Sequence, residues 1–246
     1  MPTNLVISGG PGHDFEASTA ALVEILAAAG IRSEVVPDPH EAFEMLAQRP
    51  HRWDLVTVNA LRWTMATGSY GSLRSEWAFR LENGEAACID RFVRSGGGLL
   101  ACHSAVICFD GDPTWSACLG AAWNWSRSSH PPLGPARIDV APEGRCHPLT
   151  EGLAPFTTVD EVYGGLDVDP SVVPLLTSSH GGGEHPVLWA RSLGRGRVVV
   201  DLLGHDAAAV TQAAHGEIIR RAGRWLTEPH STRRDGRSLD GSEVPR

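Results

Sequence analysis

No apolar run in this chain approaches the roughly 20 residues that a membrane-crossing helix needs, so no membrane partner is expected. Basic residues are also scarce. There are 21 Lys and Arg against 29 Asp and Glu, a formal charge of −8, and no basic stripe is left to meet phosphates. The arginines near 233–237 are interleaved with acids, and nucleic acid is not expected as a partner. The five cysteines (Cys88, Cys102, Cys108, Cys118 and Cys146) form no CxxC pair, and their number is odd. That argues against a disulfide framework and against a cysteine-built zinc site. HxH and HExxH spacings are missing too, so a metal site would have to come from residues distant in sequence. The opening Met1-Pro2-Thr3-Asn4-Leu5-Val6-Ile7 lacks a signal-peptide pattern, which makes the cytoplasm the expected location.

What is present is the composition of a globular protein: 246 residues, 42% hydrophobic, with 27 glycines, enough to bury one α/β core. A strand over 4–8 opens onto Gly9-Gly10-Pro11-Gly12-His13-Asp14. A helix over 16–29 follows, with Leu22, Ile25, Leu26 and Ala29 at helical spacing and Gly30 as its stop. The glycine loop departs from the dinucleotide fingerprint, and Pro11 removes a backbone donor, so no nucleotide cofactor is expected. A strand over 32–36, a helix over 41–48 and a strand over 55–58 complete a βαβαβ start. The stretch 63–81 reads as a loop with a short helix, and 85–94 as a helix with Ile89, Phe92 and Val93 on one side. Strands alternating with helices imply a parallel sheet covered on both faces.

Beyond residue 106 the pattern changes. Trp115, Trp123 and Trp125 lie in a Gly/Ser/Pro-rich region with His130, and extended runs follow at 136–140, 157–163 and 172–177. Segments 185–191 and 197–203 flank Leu193-Gly194-Arg195-Gly196, a hairpin signal. The last helix, over 211–226, puts Ile218, Ala222, Trp225 and Leu226 on one stripe. One domain over 1–227 is expected, then a polar tail over 228–246 predicted to be disordered. There is no internal repeat and no linker.

Residues 96–105, Gly-Gly-Gly-Leu-Leu-Ala-Cys-His-Ser-Ala, carry the strongest signal. Glycines release a short apolar run that reads as a buried parallel strand. The polar residues after it fall at the carboxyl end of the sheet, where open α/β folds bind ligands. The geometry expected is that of a nucleophile elbow. With Cys102 at the tip the chain would be a thiol hydrolase. With His103 at the tip the flanking positions are both alanine, Ala101 and Ala105, and Cys102 turns back as a small buried hydrophobe. The second frame fits better, because Leu100 would crowd the first.

Eleven histidines is a high count, and His13, His103 and His205 each follow a predicted strand. Asp160-Glu161 sits on an extended segment near Tyr163. Strand ends on one edge of a sheet converge, so these groups are candidates for a shared crevice, as divalent-metal ligands or as an acid–base set without metal. A lone histidine is more often a structural or solvated residue, and the tryptophans are either core or a stacking surface for a sugar ring.

In series, these motifs resemble the ThuA-like (trehalose-utilisation) proteins, and the likeness runs to about Leu226. It is carried by Gly9-Gly10-x-Gly12-His13, residues 96–105, Trp115 with Leu119-Gly120, and His130. It continues through 147–153 (His-Pro-Leu-Thr-Glu-Gly-Leu), Asp160-Glu161-x-Tyr163, Pro186-Val187-Leu188-Trp189, 194–198 (Gly-Arg-Gly-Arg-Val) and Leu203-Gly204-His205. The resemblance implies a class I glutamine amidotransferase-like fold: a flavodoxin-like three-layer sandwich with a mostly parallel central sheet and extra antiparallel strands in the C-terminal half. It implies that a histidine holds the elbow position of the amidotransferase cysteine, so that glutamine hydrolysis is lost. Cys102 departs from the family, where glycine or another small apolar residue is common.

The activity implied is on sugars, particularly oxidised (3-keto) disaccharides, by isomerisation or by eliminative or hydrolytic glycoside cleavage. His103, Glu161 and His205 are the expected catalytic residues, and also the ligands if a divalent metal is bound. His13, Trp115, Trp125, His130 and Tyr163 are expected to bind the carbohydrate. The alternative is a non-catalytic sugar-binding or partner subunit on a degenerate amidotransferase scaffold. A homo-oligomer is compatible with either.

Overall fold

A computed structural model describes residues 1–229, except 67, 69 and 83. Most of the expected tail, 230–246, therefore lies outside the described residues. In chain order the elements are β1 (Thr3–Gly9), α1 (Phe15–Ala28), β2 (Arg32–Val36), α2 (Pro39–Gln48), β3 (Leu55–Ala60), α3 (Ser72–Trp77), α4 (Glu85–Arg94) and β4 (Gly98–Cys102). They continue with α5 (Pro113–Leu119), β5 (Ala121–Ala122), β6 (Gly134–Val140), β7 (Phe156–Asp160), β8 (Asp167–Val168) and β9 (Pro174–His180). The chain ends in β10 (Gly183–Leu193), β11 (Gly196–Asp201), α6 (Ala207–Thr211) and α7 (Ala213–Thr227).

Nine strands form one mixed sheet in the order β2-β1-β3-β4-β11-β10-β9-β6-β7, while β5 and β8 pair separately. Strands β2, β1, β3, β4 and β11 run parallel. From β11 through β10, β9 and β6 to β7 every ladder is antiparallel, so the antiparallel extension is as large as the parallel half. Hydrophobic alternation explains the layers. In β4, Leu99 and Ala101 face a core shared with Phe43, Ile89 and Phe92 of α2 and α4. Leu100 and Cys102 face the other core, with Leu22 and Leu26 of α1 and Ile218 and Ile219 of α7. Helices therefore cover both faces of the parallel half, as the run of near-continuous apolar strands requires.

Local signals set the boundaries. Asp14 caps α1, accepting from the Ala17 N–H at 3.0 Å. The β10–β11 hairpin turns on Gly194 (φ +62°), and Leu193 pairs with Gly196. The helix expected over 211–226 is α7, preceded by the short α6 that the sequence pattern did not mark; Gln212 separates the two and caps α7, its side chain accepting from His215 N–H at 2.9 Å.

Two features place the site. Strand β11, late in sequence, lies between β4 and β10 and joins the two halves of the sheet. Strand β7, four steps farther out, points the same way as β11, because each antiparallel step reverses direction. In a flat sheet those two strand ends would lie about 19 Å apart. They are instead hydrogen-bonded, with Gly204 N–H donating to Asp160 Oδ2 at 2.7 Å. Strand β10 slips register against β9 around Val187 and again beside Leu188. Bulges of this kind bend and twist a sheet, and they curl the antiparallel half back over the parallel one.

Candidate active site

His103 stands at the tip of the turn after β4, in the left-handed region at φ +46°, which a side chain adopts only at a cost. The surroundings over-determine it. Ser104 Oγ donates to the Ala60 carbonyl at 2.9 Å, Cys108 Sγ donates to the same oxygen at 3.0 Å, and Trp115 Nε1 donates to the Ala105 carbonyl at 3.0 Å. Cys102 faces the core, and burial, with the Asp201 charge, pushes its thiol well above the ordinary range. The elbow frame centred on His103 is the one the chain adopts, and a thiolate at Cys102 has no support here.

The imidazole of His103 has a fixed orientation. Its Nδ1 lies 2.9 Å from the Leu202 carbonyl, which can only accept, so Nδ1 carries the hydrogen. Burial and the neighbouring His13 hold the ring well below the usual histidine range, so it is neutral with its lone pair on Nε2. That lone pair is met by the Tyr163 hydroxyl, donating at 3.0 Å, and His13 Nε2 lies 3.2 Å away. Burial, then the charge of Glu161, keeps Tyr163 well above its normal range and hence a phenol.

Around this ring the strand ends converge. His13 follows β1, Glu161 follows β7 and His205 follows β11. One donor atom from each of His13, His103, Glu161 and His205 lies within 4.8 Å of all the others. Glu161 Oε2 is 3.3 Å from His205 Nδ1 and 3.9 Å from both His13 Nε2 and His103 Nε2. Its other oxygen, Oε1, faces His130 Nδ1 at 3.5 Å. Among the described residues neither the buried Nδ1 of His205, for all its 3.3 Å approach to Glu161, nor that of His13 is in a well-aligned hydrogen bond. Burial and the nearby His205 lower the His13 pKa, which favours a neutral ring there as well. Side chains of Glu161 and His205 keep 15% and 17% exposure, so the cluster opens on their side.

His103, Glu161 and His205 are thus brought together, and His13 lies among them. His130 stands exposed beside Glu161. Trp115 is 3% exposed and packed under the elbow, its indole N–H donating to the Ala105 carbonyl, with an edge on the cavity that Trp123 and Trp125 also line. Tyr163, at 2% exposure, holds His103 and offers little surface to a substrate. Trp125 is 42% exposed, stacked on Trp63 with ring centroids 6.3 Å apart, a layer farther out. Trp123, among the sequence's tryptophans, is the one that packs on Tyr163, at 5.4 Å, and near His130, at 6.4 Å.

Sequence reasoning missed two supports. Asp160 is buried beneath the cluster and accepts from the backbone N–H groups of Glu161 (2.9 Å), Gly204 (2.7 Å) and His205 (3.3 Å). It clamps the β7 and β11 ends together, and burial raises its carboxyl to about 6 despite those bonds. The second support is Asp201, whose Oδ2 meets His215 Nε2 at 2.9 Å in full burial, while His215 Nδ1 donates to the Ala209 carbonyl at 2.8 Å. Burial alone would lower His215, but the Asp201 carboxylate outweighs it and raises the ring to about 9. Asp201 Oδ1 also accepts from Leu203 N–H at 3.2 Å, so the pair grips the segment carrying the Leu202 carbonyl and His205. The adjacency Asp160-Glu161 was the only sequence signal for the first; nothing local marked the second.

One cavity, of about 690 Å³, adjoins the cluster through His13 and is lined also by Phe15, Val35 and Trp77; another, of about 300 Å³, lined by Trp115, Trp123, Trp125, Asp110 and Asp112, includes no member of the cluster. A third, of about 650 Å³, lies at the opposite end of the sheet among Trp53, Phe92 and Leu226, remote from these groups. Among the described residues no helix is long and apolar enough to cross a membrane.

Comparison with known proteins bears on the fold and the family. A ThuA-like protein from Parabacteroides merdae has 17% identity and a TM-score of 0.69, with 92% of this chain and 90% of that one covered. A cytoplasmic protein from Salmonella typhimurium has 15% identity and a TM-score of 0.59, covering 92% and 99%. A β-galactosidase from Rahnella sp. R3 has 14% identity and a TM-score of 0.56, but this chain covers only 31% of it. At such identities the likeness establishes the fold alone. No curated protein matches in sequence. The family model described as ThuA, trehalose utilisation, matches residues 4–226, and the chain belongs to that family.

Proposed function

We propose that the protein is an enzyme acting on a sugar or keto-sugar derivative, by isomerisation or by eliminative or hydrolytic cleavage of a glycoside. The observation that carries this is the convergence of His13, His103, Glu161 and His205 at the carboxyl edge of the sheet. A ketone acidifies the adjacent C–H, and removing that proton is the step such a site has to assist. Glu161 is the base in this reading, since His103 is buried and its lone pair already engaged. The C–H bond breaks as the proton passes to Glu161 Oε1, and the electron pair forms an enediolate. Returning that proton to the former carbonyl carbon, while the adjacent hydroxyl passes its hydrogen to the old carbonyl oxygen and becomes the new C=O, gives isomerisation. Alternatively, the C–O bond one carbon further breaks, a C=C bond forms, and the departing oxygen takes a proton through His130 beside Oε1.

The donor set also fits a divalent metal held by His13, His103, His205 and Glu161, provided the Tyr163 hydroxyl, which donates to His103 Nε2, turns away and yields that lone pair to the ion. The Nδ1 of His205, in no well-aligned hydrogen bond, and the Nδ1–H bond that fixes His103 with its lone pair inward, are features of metal-binding imidazoles. Four of the six separations between these atoms are 3.2–3.9 Å and all are within 4.8 Å, against roughly 3.4 Å for tetrahedral neighbours on zinc. When bound, such an ion polarises a carbonyl oxygen. The flavodoxin-like reading of the fold is supported by the order β2-β1-β3-β4-β11 of the parallel half. A cytoplasmic location is supported by relatives from Salmonella that carry that description.

Incubation of untagged protein with 3-keto-trehalose, as purified and after chelation, tests the proposal. Turnover is expected, and Glu161→Gln should lower it by about 10²–10⁴-fold. Unchanged substrate in every tube, with sugar affinity retained, would instead favour a binding subunit. Metal analysis of the same sample should find close to one divalent ion per chain.

A further inference from the structure

The cavity beside His13 has a character that catalysis on a bare sugar does not call for. It measures about 690 Å³, within the range of small-molecule sites, and its walls are Phe15, Ala20 and Val23 of α1, Val35 of β2 and Trp77 of α3. Val35 is 44% exposed, an apolar side chain left without a partner at the mouth. Trp77 is held over the opening by the Arg62 guanidinium, stacked 4.5 Å from its ring centroid, while Arg62 also donates to the Pro37 carbonyl at 3.3 Å. His13 is the shared wall: its Nε2 faces the cluster, and its ring packs on Phe15 with centroids 5.3 Å apart.

The chemistry of the occupant follows from what lines the space. Of the polar side chains in its lining, Ser8 and Thr19 bond each other at 2.7 Å and Asp14 is engaged by the Ala17 N–H, so sugar hydroxyls would lose more hydration than they would regain in bonds. Anions are disfavoured, because the helix start is already capped by Asp14, Glu16 lies beside it, and Pro11 removes a donor from the loop. We infer that this cavity seats an uncharged apolar group attached to the reacting sugar, so that aryl or alkyl glycosides are preferred to sugars bearing a second hexose. The inference rests on reading the cluster as a sugar site, and continuity through His13 joins the two.

Calorimetry with phenyl and methyl glucosides, in both anomers, separates the two ideas, with turnover of their 3-keto derivatives measured in parallel. The phenyl compound should bind at least tenfold more tightly than the methyl one. Ala20→Trp, at an exposed helix position that tolerates a large side chain, should abolish that preference and leave the methyl affinity unchanged; Ala20→Ser should retain it. Equal affinity for the two glucosides in the unaltered protein overturns the inference, while turnover of the 3-keto methyl compound would still uphold the catalytic reading. A phenyl preference that Ala20→Trp removes, without turnover of either derivative, upholds the cavity's role and sinks the catalytic reading. Binding of neither compound overturns the inference.

Discussion

A single side chain at φ +46° decides what chemistry the elbow performs, since the residue there is an imidazole rather than a thiol. Cys102 is next to it yet faces the core, whereas Cys146 is exposed. Iodoacetamide at neutral pH should therefore label Cys146 rapidly and leave Cys102 unmodified in the folded protein, as mass spectrometry of the digest would show. Asp160 makes a sharper test of positioning. Asp160→Asn would set an amide N–H₂ against one of the backbone N–H groups that the carboxylate now accepts. Stability should fall by roughly 1–3 kcal/mol. The kcat on a keto-sugar should fall further than KM rises, because Glu161 and His205 lose their mutual placement. The alanine frame around His103 made the tip legible in sequence. Asp160 was not, because its three partners are backbone groups that sequence does not display.

Among elements, the parallel half was the readable part. Strands β1, β3 and β4 and helices α1, α2 and α4 carry apolar periods that neighbouring layers satisfy, whereas β2 leaves Val35 exposed. Strands β5 and β8, of two residues each, offer no period to read, and α5 begins at a capping Asp112 within a region of turn residues. The curl of the sheet was invisible for another reason: a register slip at Val187 alters pairing, not composition. Helix α7 contributes the His215 side of the buried pair with Asp201, and its titration has a definite sign. The folded-state value, about 9, lies above the unfolded 6.5, so the pair's stabilisation is complete below pH 6.5 and fades as pH rises through 9. Its size is on the order of 3 kcal/mol. Urea titrations at pH 6 and pH 9.5 should show the loss, and His215→Gln should flatten that difference while being less stable at pH 6.

At the scale of the molecule, the cluster draws groups from both halves of the sheet: His13 and His103 from parallel strands, His205 from β11, and Glu161 from the outermost β7. A divalent ion bound there would tie the halves together, and ligands specific to the native state stabilise it by mass action. A melting temperature roughly 5–10 °C higher at a hundredfold excess over Kd than after chelation is expected, by differential scanning calorimetry. Glu161→Ala should erase most of that increment. The convergence itself was foreseeable, because strand ends on one edge meet; the inclusion of an edge strand's carboxylate was foreseeable only as a motif.

The position of β11 has a consequence for biosynthesis. Strand order makes it the keystone, yet the ribosome delivers it after every other strand of the sheet. A nascent chain, or the product of any premature stop before residue 196, would hold two part-built sheets with the bare rims of β4 and β10 facing each other across a gap. Such rims recruit other chains, so truncated products should need chaperone protection and precipitate without it.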